Sequence, residues 1–199
     1  WLQALRNKCD ETGTLLILDE IQTGFGRTGS LWAFEQMHIV PDVLLLGKAL
    51  GGGLPLGAFI SSSKNMSILA ANPNLGHITT FGGHPLSRAA GKAAMEALLE
   101  EKMMEHVSSK SQLFINQLKH ASIIEVRAQG LMLAIALKDF ETVKKVIHYC
   151  LTTDENHRVF TDWFLFASNC IRIVPPLTIS DDEIKSACTT VLSAIEKTK

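Results

Sequence analysis

Residues 15–29 read LLILDEIQTGFGRTG. The four apolar residues that open this stretch are typical of a short strand in a parallel sheet, which is covered on both of its faces. The strand ends at Asp19, and a glycine-rich loop follows. Open α/β sheets bind ligands beyond the carboxyl ends of their strands, so Asp19 lies where a ligand is expected. Taken alone, an acid in this position is more often a turn or helix-cap residue.

A second apolar run, at residues 43–46, leads into the segment GKALGGGLPLG at residues 47–57. Its glycines would let backbone and ligand approach closely around Lys48. A lysine amine becomes a useful nucleophile where crowding or a neighbouring cation lowers its pKa, and a strand end of this kind can provide that environment. An isolated lysine is otherwise a solvated surface residue.

A third segment, TTFGGHP at residues 79–85, precedes a predicted helix. Hydroxyls and glycine N–H groups at this position can hydrogen-bond a phosphate, although a simple capped turn explains the pattern equally well. The helix after Pro85 repeats small apolar residues at helical spacing, which allows close packing on a sheet. A third apolar run lies at residues 58–60, and we expect it, like the first two, to be a strand buried on both faces of a parallel sheet. This half of the chain is therefore predicted to be an α/β structure.

The pattern changes near residue 103, where we place a domain boundary. Beyond it, longer amphipathic helices alternate with strands expected at residues 125–127, 131–137 and 171–174. The closing helix is expected to begin at Ser180, because Glu183 three residues later completes a capping box.

Composition excludes several classes of protein. The chain has 199 residues, 46% of them apolar, and a net charge of -1, which suits a globular fold and not a nucleic-acid-binding surface. The four cysteines form no CxxC pair and the histidines form no metal-ligand spacing, so neither a disulfide framework nor a metal site is expected. We expect no membrane span and a cytoplasmic location. Because the chain opens at Trp1 within an apparent helix, we expect it to be a piece of a larger protein.

The segments DEIQTGFGRTG, GKALGGGLPLG and TTFGGHP together resemble the pattern of class III pyridoxal-phosphate-dependent aminotransferases, and the resemblance extends over essentially the whole chain. It implies an α/β fold, in which residues 1–103 form the C-terminal portion of the cofactor-binding large domain of fold type I, with a mostly parallel sheet. Residues 104–199 would then form the α+β C-terminal small domain.

The same resemblance implies roles for five residues. Asp19 would pair with the pyridinium nitrogen of pyridoxal 5'-phosphate, Ile21 would pack on the ring, and Gln22 would contact the side of the ring that carries the hydroxyl. Lys48 would bond covalently to the cofactor and act as general base and acid. Thr80 would reach the phosphate of the cofactor in the neighbouring subunit of a homodimer whose active sites lie at the subunit interface.

The second half carries one further implied site residue. Residues 126–132 read VRAQGLM and are similar to a family segment whose arginine holds the substrate carboxylate, which assigns that role to Arg127. Residues 174–177 resemble a late segment that faces the active site, and we give them structural weight only. His84 departs from the family pattern, which usually has Asn there. The family's N-terminal half, with its phosphate-binding loop and ring-stacking aromatic, has no counterpart in this chain.

The resemblance therefore implies transfer of an amino group from a small-molecule donor to a 2-oxo acid, with 2-oxoglutarate as the expected acceptor. The acetylornithine, ornithine and ω-amino acid branches of the family are the most similar. Two alternatives stay open: an aminomutase or decarboxylase on the same scaffold, and a catalytically inactive fragment that serves only as a folded or dimerisation piece.

Overall fold

The computed structural model describes residues 1–74, 76–155 and 157–198. The chain forms two compact units, Trp1–Lys102 and Met103–Lys199. Of the helices in the described ranges, none is both long and apolar enough to cross a membrane.

The first unit contains a three-stranded sheet and three helices. In chain order its elements are α1 (Leu2–Thr12), β1 (Ile17–Asp19), β2 (Val43–Leu46), β3 (Ala58–Ser61), α2 (Ser63–Ile68) and α3 (Pro85–Glu100). Two short 3-10 helices lie at Ala33–Met37 and Lys48–Gly51. The strand order is β1-β2-β3.

The sheet is mixed. Strands β1 and β2 are parallel, as predicted, whereas β3 runs antiparallel to β2, so the prediction of a parallel sheet is wrong for this strand. The reason lies in residues 47–57, which join β2 to β3 and contain only one short 3-10 helix. A parallel neighbour needs a crossover connection of about a dozen residues or more, usually a full helix.

Burial of the sheet is also less complete than predicted. Leu44 and Leu46 are buried, but Ile17, Phe59 and Ile60 are about half exposed, at 54%, 42% and 52%. Helix α1 covers one side of the sheet through a small apolar cluster, whose members are Cys9, Leu16, Ile39, Leu2, Leu5, Leu18 and Phe34. The prediction of strands covered on both faces is therefore wrong for β1 and β3.

Helix α3 packs tightly on the 3-10 helix at Lys48–Gly51. An ideal Cβ added to Gly91 would lie 2.2 Å from the carbonyl oxygen of Leu50, and one added to Gly52 would lie 2.4 Å from that of Ala90. The small residues of α3 thus permit close packing, as predicted, but against this turn that follows β2.

The second unit is an antiparallel sheet packed with helices, as expected for an α+β unit. Its elements are α4 (Val107–Gln117), β4 (Glu125–Gln129), β5 (Met132–Ala136), α5 (Phe140–Thr152), β6 (Asp162–Phe164), β7 (Ala167–Ile173) and α6 (Asp181–Lys197). The strand order is β4-β5-β7-β6. Strand β6 is not among the predicted strands, and β7 begins at Ala167, four residues before the predicted start at 171.

The core of this unit forms where β5 and β7 meet the apolar stripes of α4, α5 and α6. Its fully buried side chains include Leu133, Ile135, Ile171, Val143, Val146, Ile184 and Ala194. The capping box predicted at the start of α6 is confirmed: the Glu183 carboxylate accepts the Ser180 N–H at 2.8 Å, and the Ser180 hydroxyl accepts the Glu183 N–H at 3.3 Å.

Candidate active site

The parallel pairing of β1 and β2 brings two predicted site residues to one edge of the sheet. Asp19 is the last residue of β1 and is aligned with Leu45 of β2. The Glu20 N–H donates to the Leu45 carbonyl at 3.0 Å, which holds the chain beside β2 as it leaves the sheet. Lys48 begins the 3-10 helix that follows β2. Asp19 and Lys48 therefore both lie just beyond the carboxyl ends of neighbouring strands.

The Asp19 carboxylate is exposed and only partly engaged. Its Oδ1 accepts the Ile21 N–H at 2.9 Å, which fixes the orientation of the side chain. Its Oδ2 has no hydrogen-bond partner in the described part of the chain. This oxygen can accept a hydrogen bond from a protonated nitrogen of a ligand.

Lys48 has a strained backbone. Its φ of 45° lies in the left-handed region, which residues other than glycine seldom adopt. Such strain costs on the order of 1–3 kcal/mol and tends to occur at functional sites. The side chain is exposed, and within residues 1–74, 76–155 and 157–198 its amine has no ion-pair or hydrogen-bond partner. The amine is therefore available to a ligand.

Ile21 joins the two strand ends. A Cβ on Gly47 would lie 3.3 Å from Cγ2 of Ile21, so this side chain packs directly against the backbone that precedes Lys48. Ile21 is half-buried, whereas Gln22 beside it is exposed. The Ile21 side chain thus lies against the strand end that carries Lys48, while its backbone N–H binds the Asp19 carboxylate.

Glu20 has a structural role. It is only 3% exposed, its Oε1 accepts the Phe34 N–H at 2.9 Å, and its Oε2 accepts the Thr23 hydroxyl. These contacts tie the glycine-rich loop to the segment that follows it. Arg27 of the same loop is partly buried, and this burial lowers its pKa.

Thr80 lies in an exposed turn before α3. The turn is held by its backbone, since the Gly82 N–H donates to the Thr79 carbonyl and the His84 N–H donates to the Phe81 carbonyl, both at 3.2 Å. The rings of Phe81 and His84 are in contact, with centroids 6.5 Å apart. Among the described residues, no hydrogen bond joins the Thr80 side chain to Asp19 or Lys48.

Arg127 lies on β4 in the second unit. Its Nη1 donates to the Glu125 carboxylate at 2.7 Å, and its Nη2 donates to the Cys170 sulfur at 3.3 Å. The side chain is 54% exposed. The predicted carboxylate-binding arginine thus already has a carboxylate partner on its own strand.

A second arginine, Arg172, lines a cavity and is not among the predicted site residues. The cavity has a volume of about 920 Å³, and its walls include Arg172, Asp162, Phe114 and the loop at residues 174–176. Arg172 donates from Nε to Asp162 Oδ1 at 2.7 Å and from Nη2 to Asp162 Oδ2. The sequence does contain a signal for Arg172, since this residue lies two positions before the apolar segment 174–177. That segment was assigned structural weight only. Within the described ranges, no group of three or more His, Cys, Asp or Glu side chains is arranged to hold a metal ion.

Comparison with known proteins gives consistent matches. Residues 1–195 match the profile of the family described as aminotransferase class-III. An acetylornithine aminotransferase from Corynebacterium efficiens is 38% identical over 188 residues, which is 94% of this chain and 44% of that protein.

Two solved structures illustrate the structural likeness. An ornithine aminotransferase from Plasmodium yoelii has a TM-score of 0.84 and 30% identity, covering 100% of this chain and 52% of its own. An N-acetylornithine aminotransferase from Stenotrophomonas maltophilia has a TM-score of 0.81 and 30% identity, covering 98% of this chain and 50% of its own. The chain spans about half the length of these relatives.

Proposed function

Because the chain belongs to the class III aminotransferases, a family of pyridoxal-phosphate-dependent enzymes of fold type I, we propose that it contributes to the transfer of an amino group from an amine donor to a 2-oxo acid. The observation that carries this proposal is the position of Asp19 and Lys48 at one edge of the β1-β2 pair. A carboxylate and an amine beyond neighbouring strand ends suit a cofactor with a ring nitrogen and an electrophilic carbon.

The residues present fit pyridoxal 5'-phosphate at three points. Asp19 offers Oδ2 to the ring nitrogen, and Ile21 offers an apolar side chain to the ring with Gln22 beside it. The amine of Lys48 is unpaired within the part of the chain that the structure describes. Thr80 lies in an exposed turn with glycines, and we propose that its hydroxyl binds the phosphate held by the other subunit of a homodimer.

The bound cofactor supplies an electron sink that stabilises negative charge on the substrate carbon next to the amino group. Asp19 would keep the ring nitrogen protonated through a charge-assisted hydrogen bond. Lys48 would hold the cofactor covalently, and its free Nζ would act as the general base and acid that moves a proton between the substrate carbon and the C4′ carbon of the cofactor.

Two arginines are candidates for the substrate carboxylate. The family resemblance favours Arg127. The cavity geometry favours Arg172, because this guanidinium is 31% exposed within a concave, partly apolar site, whereas Arg127 is 54% exposed on its strand. The variants Arg127→Ala and Arg172→Ala distinguish the two candidates, because only removal of the arginine that binds the carboxylate should raise KM for the amine donor.

The finer features of the proposal rest on the relatives. Their names support a donor of the acetylornithine or ornithine type, and we propose 2-oxoglutarate as the acceptor, in amino-acid metabolism in the cytoplasm. We further propose that residues 1–103 are the C-terminal portion of the cofactor-binding large domain and that residues 104–199 are the small domain.

Glutamate formation tests the proposal. The chain is incubated with pyridoxal phosphate, N-acetylornithine and 2-oxoglutarate, and we expect glutamate to form with wild type and with Lys64→Ala, a control at an exposed lysine of α2. Lys48→Ala is expected to form none. Consumption of the donor without glutamate would favour an aminomutase or decarboxylase, and no consumption at all would favour the inactive-fragment alternative.

A further inference from the structure

Asp42, the residue immediately before β2, is bonded to the elements on both sides of that strand. Its carboxylate accepts the Leu16 N–H, just before β1, at 2.7 Å, and the Arg6 guanidinium of α1 donates to the same oxygen at 2.7 Å. The Asp42 N–H donates back to the Leu16 carbonyl at 2.9 Å. The Ser61 hydroxyl of β3 donates to the Asp42 carbonyl at 2.6 Å. Arg6 and Asp42, called the clamp below, thus join α1 to the ends of all three strands.

Arg6 is fixed in place by two carboxylates. Its Nη1 donates to Asp42, and its Nη2 donates to Asp10, one turn further along α1, at 2.6 Å. The side chain is only 13% exposed, and its Nε is buried without a hydrogen-bond partner in the described part of the chain. The position of the guanidinium is therefore set by its terminal nitrogens. Because charge-assisted bonds are strong where water is largely excluded, Arg6 orients the Asp42 carboxylate toward the Leu16 N–H.

The register of β1 against β2 needs such support, because β1 is short. The strand has three residues, and its last residue, Asp19, is aligned with Leu45. Ile17 is 54% exposed, so little burial opposes a shift of the strand. A shift by one residue would move Asp19 by about 3.3 Å along β2 and turn its side chain to the other face of the sheet. The same shift would separate the Leu16 N–H from the Asp42 carboxylate, so the clamp opposes it.

We propose that Arg6 and Asp42 are positioning residues for the proposed cofactor site. By fixing the register at the amino ends of β1 and β2, they set where Asp19 and Lys48 lie relative to each other beyond the carboxyl ends. A misplacement of about 1 Å is enough to impair reacting groups, and one register step is about 3.3 Å. The link to the cofactor rests on the proposed function, whereas control of the register does not.

Amide chemical shifts of the 15N-labelled chain test the control of the register. A general loss of stability leaves the spectrum of the folded molecules unchanged, so a shift at a distant amide reports a change of position. The Glu20 N–H bonds to β2 at the far end of β1. In Asp42→Asn, we expect its shift to change about fivefold or more compared with that of the Ala94 N–H in the middle of α3. In wild type, we expect the Leu16 N–H to be protected from hydrogen exchange by the carboxylate.

Asp10→Asn is the matched control, because it removes the other carboxylate that binds Arg6 and leaves the Arg6–Asp42 pair in place. Asp10 is exposed, so we expect the changes at the two reference amides to differ by less than about twofold. Equally small changes at both amides in Asp42→Asn would mean that Asp42 contributes stability alone, and would overturn the inference. An unprotected Leu16 N–H in wild type would overturn it as well, even if the variant does not fold.

Labelling with pyridoxal phosphate and borohydride connects the clamp to the proposed site. In the folded Asp42→Asn chain, we expect the ratio of Lys48 to Lys64 labelling to fall about fivefold or more, against less than about twofold in Asp10→Asn. A ratio in Asp42→Asn equal to that of wild type would overturn the positioning role. Wild type without selectivity for Lys48 would instead contradict the proposed function, and the amide shifts would still decide whether the clamp controls the register.

Discussion

Gly91 in the middle of α3 gives the sharpest stability prediction, because two opposing effects act on it. Replacing an interior helix glycine by alanine normally stabilises a helix by about 1 kcal/mol. Here the new Cβ would lie 2.2 Å from the carbonyl oxygen of Leu50, well inside van der Waals contact. The contacted atom is backbone, so it cannot rotate away as a side chain would.

Overpacking of this kind costs about 1–3 kcal/mol, and more where the backbone must move. Because the contact is short, we expect an overpacking cost in the upper part of this range. After the helix gain of about 1 kcal/mol is subtracted, Gly91→Ala should lower the free energy of unfolding by about 1–2 kcal/mol. The movement would also displace the 3-10 helix at Lys48–Gly51, on which α3 packs.

The measurement is urea unfolding of the whole chain, followed by far-ultraviolet circular dichroism. Gly57→Ala is the control, because the nearest heavy atom to its new Cβ would be 3.8 Å away, and we expect a change within about 0.5 kcal/mol. A Gly91→Ala chain as stable as wild type, or more stable by the usual helix gain, would refute the close packing of α3 on this turn.

Two further predictions concern ionisable groups. A hydrogen bond from the Leu16 N–H and, second in importance, one from the Arg6 guanidinium hold the pKa of Asp42 below its ordinary value of 3.8. The ionised carboxylate therefore stabilises the folded state above that pH. This stabilisation is lost as the pH falls through the lower pKa of the folded state. Asp42→Asn is therefore expected to lower the free energy of unfolding by about 1–2 kcal/mol at pH 7, as measured by urea titration. Below about pH 4 the difference between the variant and wild type should become smaller. An equal difference at both pH values would contradict this. Burial raises the pKa of Cys150 to about 11 and that of Cys188 to about 12. Iodoacetamide at pH 8 should therefore modify neither thiol in the folded chain and both thiols in urea, as identified by peptide mass. Fast modification without urea would contradict the burial of these thiols.

The order of residues along the chain allowed much of the first unit to be predicted. The acid and the lysine each follow an apolar run, and parallel strands bring such positions to one edge, so the proximity of Asp19 and Lys48 to that edge followed from local pattern alone. The capping box of Ser180 and Glu183 was equally predictable, because capping is local.

Features that depend on strand pairing were harder to predict from the sequence. The antiparallel direction of β3 depends on the conformation of residues 47–57, and the glycines there suggested a ligand site as readily as a return of the chain. The importance of Arg172 emerged only when β6 and β7 were paired, because its partner Asp162 lies on a strand too short to be recognised by alternation.

The proposal that Lys48 and Asp19 form a cofactor site is tested most directly by chemical labelling. Limiting pyridoxal phosphate is added to the chain, borohydride reduces any bond formed with an amine, and peptide mass identifies the modified lysines. We expect selective modification of Lys48 in wild type and a marked loss of that selectivity in Asp19→Ala. Labelling spread over exposed lysines such as Lys64, or equal labelling of Lys48 in both proteins, would contradict the proposed site.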